Sequence, residues 1–298
     1  MKITANKLQI EFEDSAPTAN HLPVVLLIMG LGMQLTAWPP GLVRGLMNAG
    51  YRVIRFDNRD IGLSEKFDQL GIPNVLWQGL KYKLGLNISA PYSLKDMALD
   101  AAGLLDGLNV DRAHIVGVSM GGMVAQRLAL LAPQRCLSLS SIMSSSSARG
   151  LPAAEPAITR VLLSRPANKS LEAAIDHSIK LFKAIGSPGF AMDEEDRRTA
   201  VTYNLKRSYH PQGLLRQMMA TVADNSRAEE LANMVVPTLV VHGKADPLIP
   251  YACGEDTARR IPGAKLVGIE GMGHDLPPGV VERLLPLLLA HMQETVAT

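Results

Sequence analysis

The stretch IVGVSMGGMVAQ, residues 115–126, sets a single hydroxyl, Ser119, between Gly117 and Gly121. An apolar run precedes it and a helix-like pattern follows. The letters G-x-S-x-G are common, but a strand entering and a helix leaving give them meaning. A nucleophile held at so tight a bend needs small residues two positions away on each side, because the backbones must approach closely. The bend lifts the hydroxyl clear of the sheet, and the unpaired N–H groups of the helix start point to the same place. A phosphate-binding turn or an inert bend would use the same residue types, so the surrounding fold and the available partners must decide.

The fold reads outward from this turn. Apolar runs of strand length occur at 24–30, 51–57, 113–119, 136–145 and 237–243, with a sixth at 264–274. Near-continuous apolar runs are what strands buried on both faces require. Helix-length segments at 40–50, 94–109 and 121–133 lie between them, and Leu94, Met97, Ala98, Ala101, Leu104, Leu105 and Leu108 recur at helical spacing. Strands alternating with helices predict an α/β domain with a parallel sheet. The N-terminal KITANKLQIEFED predicts a hairpin that adds antiparallel strands at one edge.

One block interrupts the alternation. From 150 to 228 helical patterns dominate, with candidate helices at 171–186 and 212–224 and a turn, GSPGF, at 186–190. We expect a helical cap over 150–228, inserted between core segments 1–149 and 229–298. The serine run at 144–147 reads as a small-residue exit into that cap.

Composition narrows the function classes. Thirty basic residues balance 28 acidic ones for a net charge of +2, with no basic block suited to nucleic acid or a polybasic membrane contact. The N-terminus alternates instead of forming a signal-peptide core, and no run approaches the roughly 18 apolar residues of a membrane span. We therefore expect a cytoplasmic protein, monomeric or homodimeric, with Cys136 and Cys253 as free thiols. No C-x-x-C or H-E-x-x-H pattern asks for a metal, and no cofactor is expected.

A serine hydroxyl is a weak nucleophile without a base, and the base needs an orienting group. Seven histidines compete for the role of base. His114 and His242 fall within strands and read as packed residues; His21, His177, His210 and His291 read as surface or cap residues. His274, in EGMGHDLPP, follows the last predicted strand on a glycine-rich loop at the sheet's carboxyl edge, where chemistry gathers in such folds. The orienting carboxylate should lie between serine and histidine in chain order. Asp246, in VVHGKADPLIP, fits, although Asp-Pro is also a common turn starter. Asp106 and Asp111 precede the serine, and Asp275 is too close in sequence to reach the far ring nitrogen. The glycine-rich loop after the first buried strand offers the Leu31 N–H, and the elbow offers the Met120 N–H, as an oxyanion hole. Trp38 reads as an entrance or packing residue, while Arg207 and Arg216 read as solvated helix-face residues ahead of the alternative that one of them pairs with an acidic substrate.

With these residues assembled, the chain resembles the α/β-hydrolase superfamily along its whole length. GVSMGGMVAQ, DNRDIGLS (57–64), PTLVVHGKADPLIP and GMGHDLP match its motifs in order. Two departures stand out: Asp60 where the D-x-R-G-x-G-x-S pattern has glycine, and Met29 where many members have histidine. They resemble the branch of aclacinomycin methylesterase, and the elbow is also similar to that of 3-oxoadipate enol-lactonases. The resemblance implies an α/β-hydrolase fold and a carboxylic-ester hydrolase acting on a small-molecule ester. It implies Ser119 as nucleophile, His274 as base and then acid, and Asp246 as the group holding the imidazole. A lactonase or carbon–carbon bond hydrolase would use the same residues. A ligand receptor on this fold is a further alternative, disfavoured because all three residues are present.

Overall fold

The computed structural model of the protein describes residues 1–19, 21–84, 86 and 88–295. The strands are β1 (Lys2–Ala5), β2 (Leu8–Asp14), β3 (Val24–Ile28), β4 (Arg52–Phe56), β5 (Ala113–Val118), β6 (Cys136–Ile142), β7 (Thr238–Gly243) and β8 (Lys265–Ile269). Among the described residues these eight form one sheet in the order β1-β2-β4-β3-β5-β6-β7-β8. β1 and β2 make the antiparallel edge, and β2 joins β4 antiparallel. Every pair from β4 through β3 to β8 is parallel.

β3 shows why the central strands read as unbroken apolar runs. All five of its residues are buried. Leu26 and Ile28 enter the core on one face, and Val25 and Leu27 enter the core on the other. Successive side chains of a strand point to opposite faces, so a sheet covered on both sides needs apolar residues at every position.

The helices are α1 (Pro40–Asn48), α2 (Val75–Lys83), α3 (Leu94–Gly107), α4 (Met120–Leu131), α5 (Pro156–Leu162), α6 (Leu171–Ile185), α7 (Glu194–Arg207), α8 (Pro211–Ala223), α9 (Arg227–Glu230), α10 (Tyr251–Arg260) and α11 (Pro278–Glu294). α3 and α4 supply one core face; α1 and α11 supply the other. α3 begins at a full capping box in which Ser93 and Asp96 satisfy each other's N–H groups.

Two helices are weakly written in the sequence. α11 contains Pro286, which removes an internal N–H donor. It holds because Val280, Val281, Leu284, Leu288 and Met292, at helical spacing, are buried against the sheet. α7 buries little and is instead set by its ends: Asp193 caps the N–H groups of Glu195 and Asp196, with acidic residues in the first turn and Lys206 and Arg207 in the last.

α5 to α8 all fall between β6 and β7. Ile175, Ile179 and Val201, with Phe182 and Leu205, make a small core of their own joining α6 to α7. The last positions of the second core segment, 296–298, lie outside the described residues.

Four expectations are corrected here. His291 is not a surface residue: it is buried on α11, and its Nε2–H donates to the Leu139 carbonyl at 3.2 Å. Arg216 has no exposed surface and is paired with Asp60. Arg207 donates to Gln34 Oε1 (2.6 Å) and Asp57 Oδ2 (2.7 Å) instead of lying in solvent. Trp38 is fully buried and packs in the core, so it does not flank an entrance.

Candidate active site

The elbow lies between β5 and α4. Ser119 has φ +54° and ψ −124°, a sparsely populated conformation for a residue with a side chain. Main-chain hydrogen bonds hold it there. Its N–H donates to the Ile142 carbonyl (2.9 Å), and its own carbonyl accepts from the Gly122 N–H (2.9 Å) and from Ser144 Oγ (2.8 Å). The serine run at 144–147 is thus more than an exit into the following helices. A Cβ on Gly117 would strike the Gly121 carbonyl, and one on Gly121 would strike the Ile28 and Met29 carbonyls. The small neighbours are a steric necessity of this bend.

Ser119, Asp246 and His274 are distant in sequence but adjacent in space. Ser119 Oγ is 2.9 Å from His274 Nε2, and His274 Nδ1 is 2.7 Å from Asp246 Oδ2. With Nδ1 carrying the proton given to Asp246, Nε2 is left to accept from the serine hydroxyl. Asp246 also behaves as the turn starter its Asp-Pro sequence suggests. Its Oδ1 accepts the N–H groups of Leu248 (2.9 Å) and Ile249 (2.8 Å), which leaves Oδ2 aimed at the histidine. Behind it, the buried His242 donates from Nε2 to the Ile249 carbonyl at 2.7 Å, fixing the same loop. Burial holds His242 below the usual histidine range.

The His274 loop is anchored by the GSPGF turn at 186–190 and the end of α6. The His274 N–H donates to the Ile185 carbonyl (2.7 Å), and the Gly273 N–H donates to Ser187 Oγ (2.8 Å). Ser187 in turn gives its N–H (2.9 Å) and hydroxyl (2.5 Å) to Asp275 Oδ1. Burial pushes the Asp275 carboxyl up, against those hydrogen bonds. Asp275 therefore faces Ser187. The sequence signal for Ser187 was its place in GSPGF directly after an amphipathic helix, which gives no hint of a partner 88 residues away.

The loop after β3 turns tightly beside the serine. The Met33 N–H donates to the Gly30 carbonyl at 3.2 Å, and Gly32 has φ +70°. A positive φ at the third residue is what a type II turn requires, and glycine supplies it without strain. A Cβ built on Gly30 would lie 3.2 Å from Ser119 Cβ and 3.8 Å from its Oγ. Among the described residues, neither the Leu31 N–H nor the Met120 N–H donates a hydrogen bond.

The DNRDIGLS segment braces this loop. Asp57 Oδ1 accepts the Leu35 N–H and its Oδ2 accepts the Leu63 N–H, both at 2.7 Å. Asn58 Nδ2 donates to the Met29 carbonyl at 3.0 Å, and Arg59 grips Asp100 with two bonds of 2.6 and 2.7 Å. Among the described residues, no group of three or more histidine, cysteine, aspartate or glutamate side chains is arranged to hold a metal ion. Both cysteines are buried and unpaired, and no described helix is long and apolar enough to cross a membrane.

The strand order, the crossover helices on both faces and the serine at the β5–α4 elbow define an α/β-hydrolase architecture. The chain belongs to the alpha/beta hydrolase fold family, which matches residues 23–277. It is 30% identical over 287 residues to the rhodomycin D methylesterase DnrP of Streptomyces peucetius, with 90% of each chain covered. Among solved structures, the enol-lactonase from Burkholderia xenovorans superposes with a TM-score of 0.73 at 18% identity, covering 98% of this chain and all of that one. The meta-cleavage product hydrolase of Pseudomonas fluorescens gives 0.74 at 19% identity, over 99% and 97% of the two chains. At such identities the two structures speak for the fold alone.

Proposed function

We propose that this protein is a serine carboxylic-ester hydrolase acting on small to medium apolar esters. The observation that carries the reading is the unbroken hydrogen-bonded chain from Asp246 Oδ2 through the His274 ring to Ser119 Oγ. Ser119 Oγ attacks the ester carbonyl carbon while His274 Nε2 takes the hydroxyl proton. The N–H groups of Leu31 and Met120 receive the developing oxyanion. His274 then returns the proton to the departing alkoxide, which leaves as the alcohol, and an acyl-Ser119 ester remains. Water, deprotonated by His274, attacks that ester, and the collapse of the second tetrahedral intermediate frees the acid and restores Ser119. Asp246 keeps the imidazole in the tautomer with the proton on Nδ1 and stabilises the imidazolium that forms.

The similarity to a methylesterase supports an ester of a small alcohol as substrate. The helices over 150–228 act in this reading as a cap that shapes the acyl pocket. A panel of chromogenic esters from acetyl to decanoyl, with lactones beside them, tests the proposal when each is run against Ser119→Ala. Serine-dependent ester turnover is expected. Turnover of lactones alone would move the reading to a lactonase, and wild-type ester hydrolysis by Ser119→Ala would end it.

A further inference from the structure

We infer that Gln217, on α8, is a positioning residue for the oxyanion-binding loop, and that α8 is therefore a fixed part of the catalytic apparatus. The inference rests on the serine-esterase reading and adds a residue to it. Gln217 has no exposed surface. Its Oε1 accepts the Gly32 N–H at 2.9 Å, and its Nε2 donates to the Arg59 carbonyl at 2.8 Å. One amide thus ties the turn after β3 to the segment after β4, with both of its polar ends used.

The geometry makes this grip directional. Gly32 immediately follows Leu31, the proposed oxyanion donor. The Gly32 N–H, drawn onto α8, fixes the Leu31–Gly32 peptide, and together with the bond from the Met33 N–H to the Gly30 carbonyl this holds the turn that carries the adjacent Leu31 N–H. Leu214, one helical turn earlier on the same face of α8, adds a steric stop: its Cδ1 lies 2.6 Å from the place a Cβ on Gly32 would occupy. The helix presses on the turn with one side chain and hydrogen-bonds it with another. Gly213 brings the backbone this close, since a Cβ there would strike the Asp60 carbonyl. Preorganised donors stabilise a transition state only if they do not have to reorient during the reaction. Gln217 meets that requirement without touching substrate.

Gln217→Leu removes both hydrogen bonds and keeps the apolar bulk. We expect kcat on p-nitrophenyl butyrate to fall about 10- to 100-fold with KM changed less than about two-fold. Because the loss belongs to the oxyanion, the Ki of an alkyl trifluoromethyl ketone, which binds as a tetrahedral oxyanion on Ser119, should rise by the same factor as kcat/KM falls. A carboxylate product inhibitor should bind unchanged. Gln217→Asn, one methylene too short to reach both partners, is read by the same criteria if Gln217→Leu does not fold. Wild-type kcat, a loss confined to KM, or equal weakening of ketone and product would overturn the inference. Fluorophosphonate labelling of wild-type Ser119 separates this from failure of the underlying reading: no labelling overturns both, whereas labelling with wild-type kinetics in the Gln217 variant overturns only the positioning role.

Discussion

Arg216 of α8 grips Asp60 with two hydrogen bonds, Nε to Oδ2 at 2.6 Å and Nη2 to Oδ1 at 2.8 Å, and neither side chain is exposed to solvent. Asp60 stands where the family pattern carries glycine. Its φ of +74° shows why glycine suits the position, and aspartate is among the few other residues that tolerate it. Tyr92 Oη (3.0 Å) and the Phe67 N–H (3.1 Å) also donate to Asp60, while Arg216 Nη1 donates to the Gly71 carbonyl (2.8 Å) and Nη2 to His210 Nε2 (3.0 Å). The departure from glycine and the arginine of α8 therefore form one unit.

Removing one member of that unit should be far worse than removing both. Arg216→Met leaves the Asp60 carboxylate buried without its cation, a change that costs about 3–5 kcal/mol in comparable pairs. Adding Asp60→Gly to Arg216→Met removes the orphaned charge and relieves the backbone, so the double variant should recover much of that loss. Urea denaturation of the wild type, both single variants and the double variant gives the coupling directly. Additive losses would show that the pair is not the unit described.

The same pair sets one arm of the acid sensitivity. Burial raises the Asp60 carboxyl, but the Arg216 hydrogen bond, the Phe67 N–H and the nearby guanidinium charge outweigh it and hold it below the usual 3.8. A carboxyl depressed in the folded state takes up protons later than in the unfolded chain. Its contribution is complete above the usual value and is lost as the pH falls from there through the folded one. The stability difference between the wild type and Asp60→Gly/Arg216→Met should therefore shift against the wild type below about pH 4. Denaturation curves taken from pH 6 downward measure it.

A second acid-sensitive group lies inside the sheet. Burial lowers His114 from 6.5 to about 4, and nearby His291 and Arg112 act in the same direction. The unfolded chain binds a proton at this histidine first, so stability should fall as the pH drops from 6.5 towards 4. The shift is worth about 3 kcal/mol at most. His114→Leu loses the hydrogen bond to Ser138 (2.8 Å) and starts from a different baseline, yet its stability should vary less across that window. An unchanged slope would place the sensitivity elsewhere, with His291 and His242, both also lowered by burial, as the remaining candidates.

What was legible in the sequence had a local cause. Val24–Ile28 reads as a strand because both faces need apolar residues, and the elbow reads as an elbow because only glycine at 117 and 121 lets the strand and helix backbones approach so closely. Asp246 and His274 stand out by their place on loops after β7 and β8. Arg216 was not legible, since an arginine on an amphipathic helix reads as solvated and its partner lies 156 residues away. Gln217 and Ser187 were missed for the same reason. Each satisfies a backbone N–H in a distant loop, and that demand has no periodicity of its own. α7 and α11 were blurred by the opposite problem: α7 has too little apolar face to register, and Pro286 interrupts a face that packing nevertheless secures.

Ser187 supplies a test of how the His274 loop is held. Ser187→Ala leaves the Gly273 N–H without its acceptor and removes a donor from Asp275. We expect kcat to fall about 10-fold through misplacement of the imidazole, with a stability loss of about 1–3 kcal/mol. Steady-state ester kinetics and thermal melting measure the two effects separately. A stability loss with wild-type kcat would mean that the loop keeps its place without Ser187.

Asp246→Asn separates the turn-forming role of this residue from its proposed role in catalysis. Asparagine keeps an oxygen for the N–H groups of Leu248 and Ile249, so the turn and the melting temperature should survive. The amide nitrogen, however, then faces His274 Nδ1, and two donors cannot share that contact. The ring is driven to carry its proton on Nε2, where it can no longer accept from Ser119. The loss in kcat should approach about 10⁴-fold, the scale known for imposing the wrong tautomer on a catalytic histidine. Asp106→Asn is the control, because Asp106 is an exposed residue of α3 paired with Arg135 at the surface. Comparable kcat in the two variants would remove Asp246 from the proposed triad and leave it a turn residue; a large loss in Asp246→Asn alone, at an unchanged melting temperature, would assign it to the imidazole.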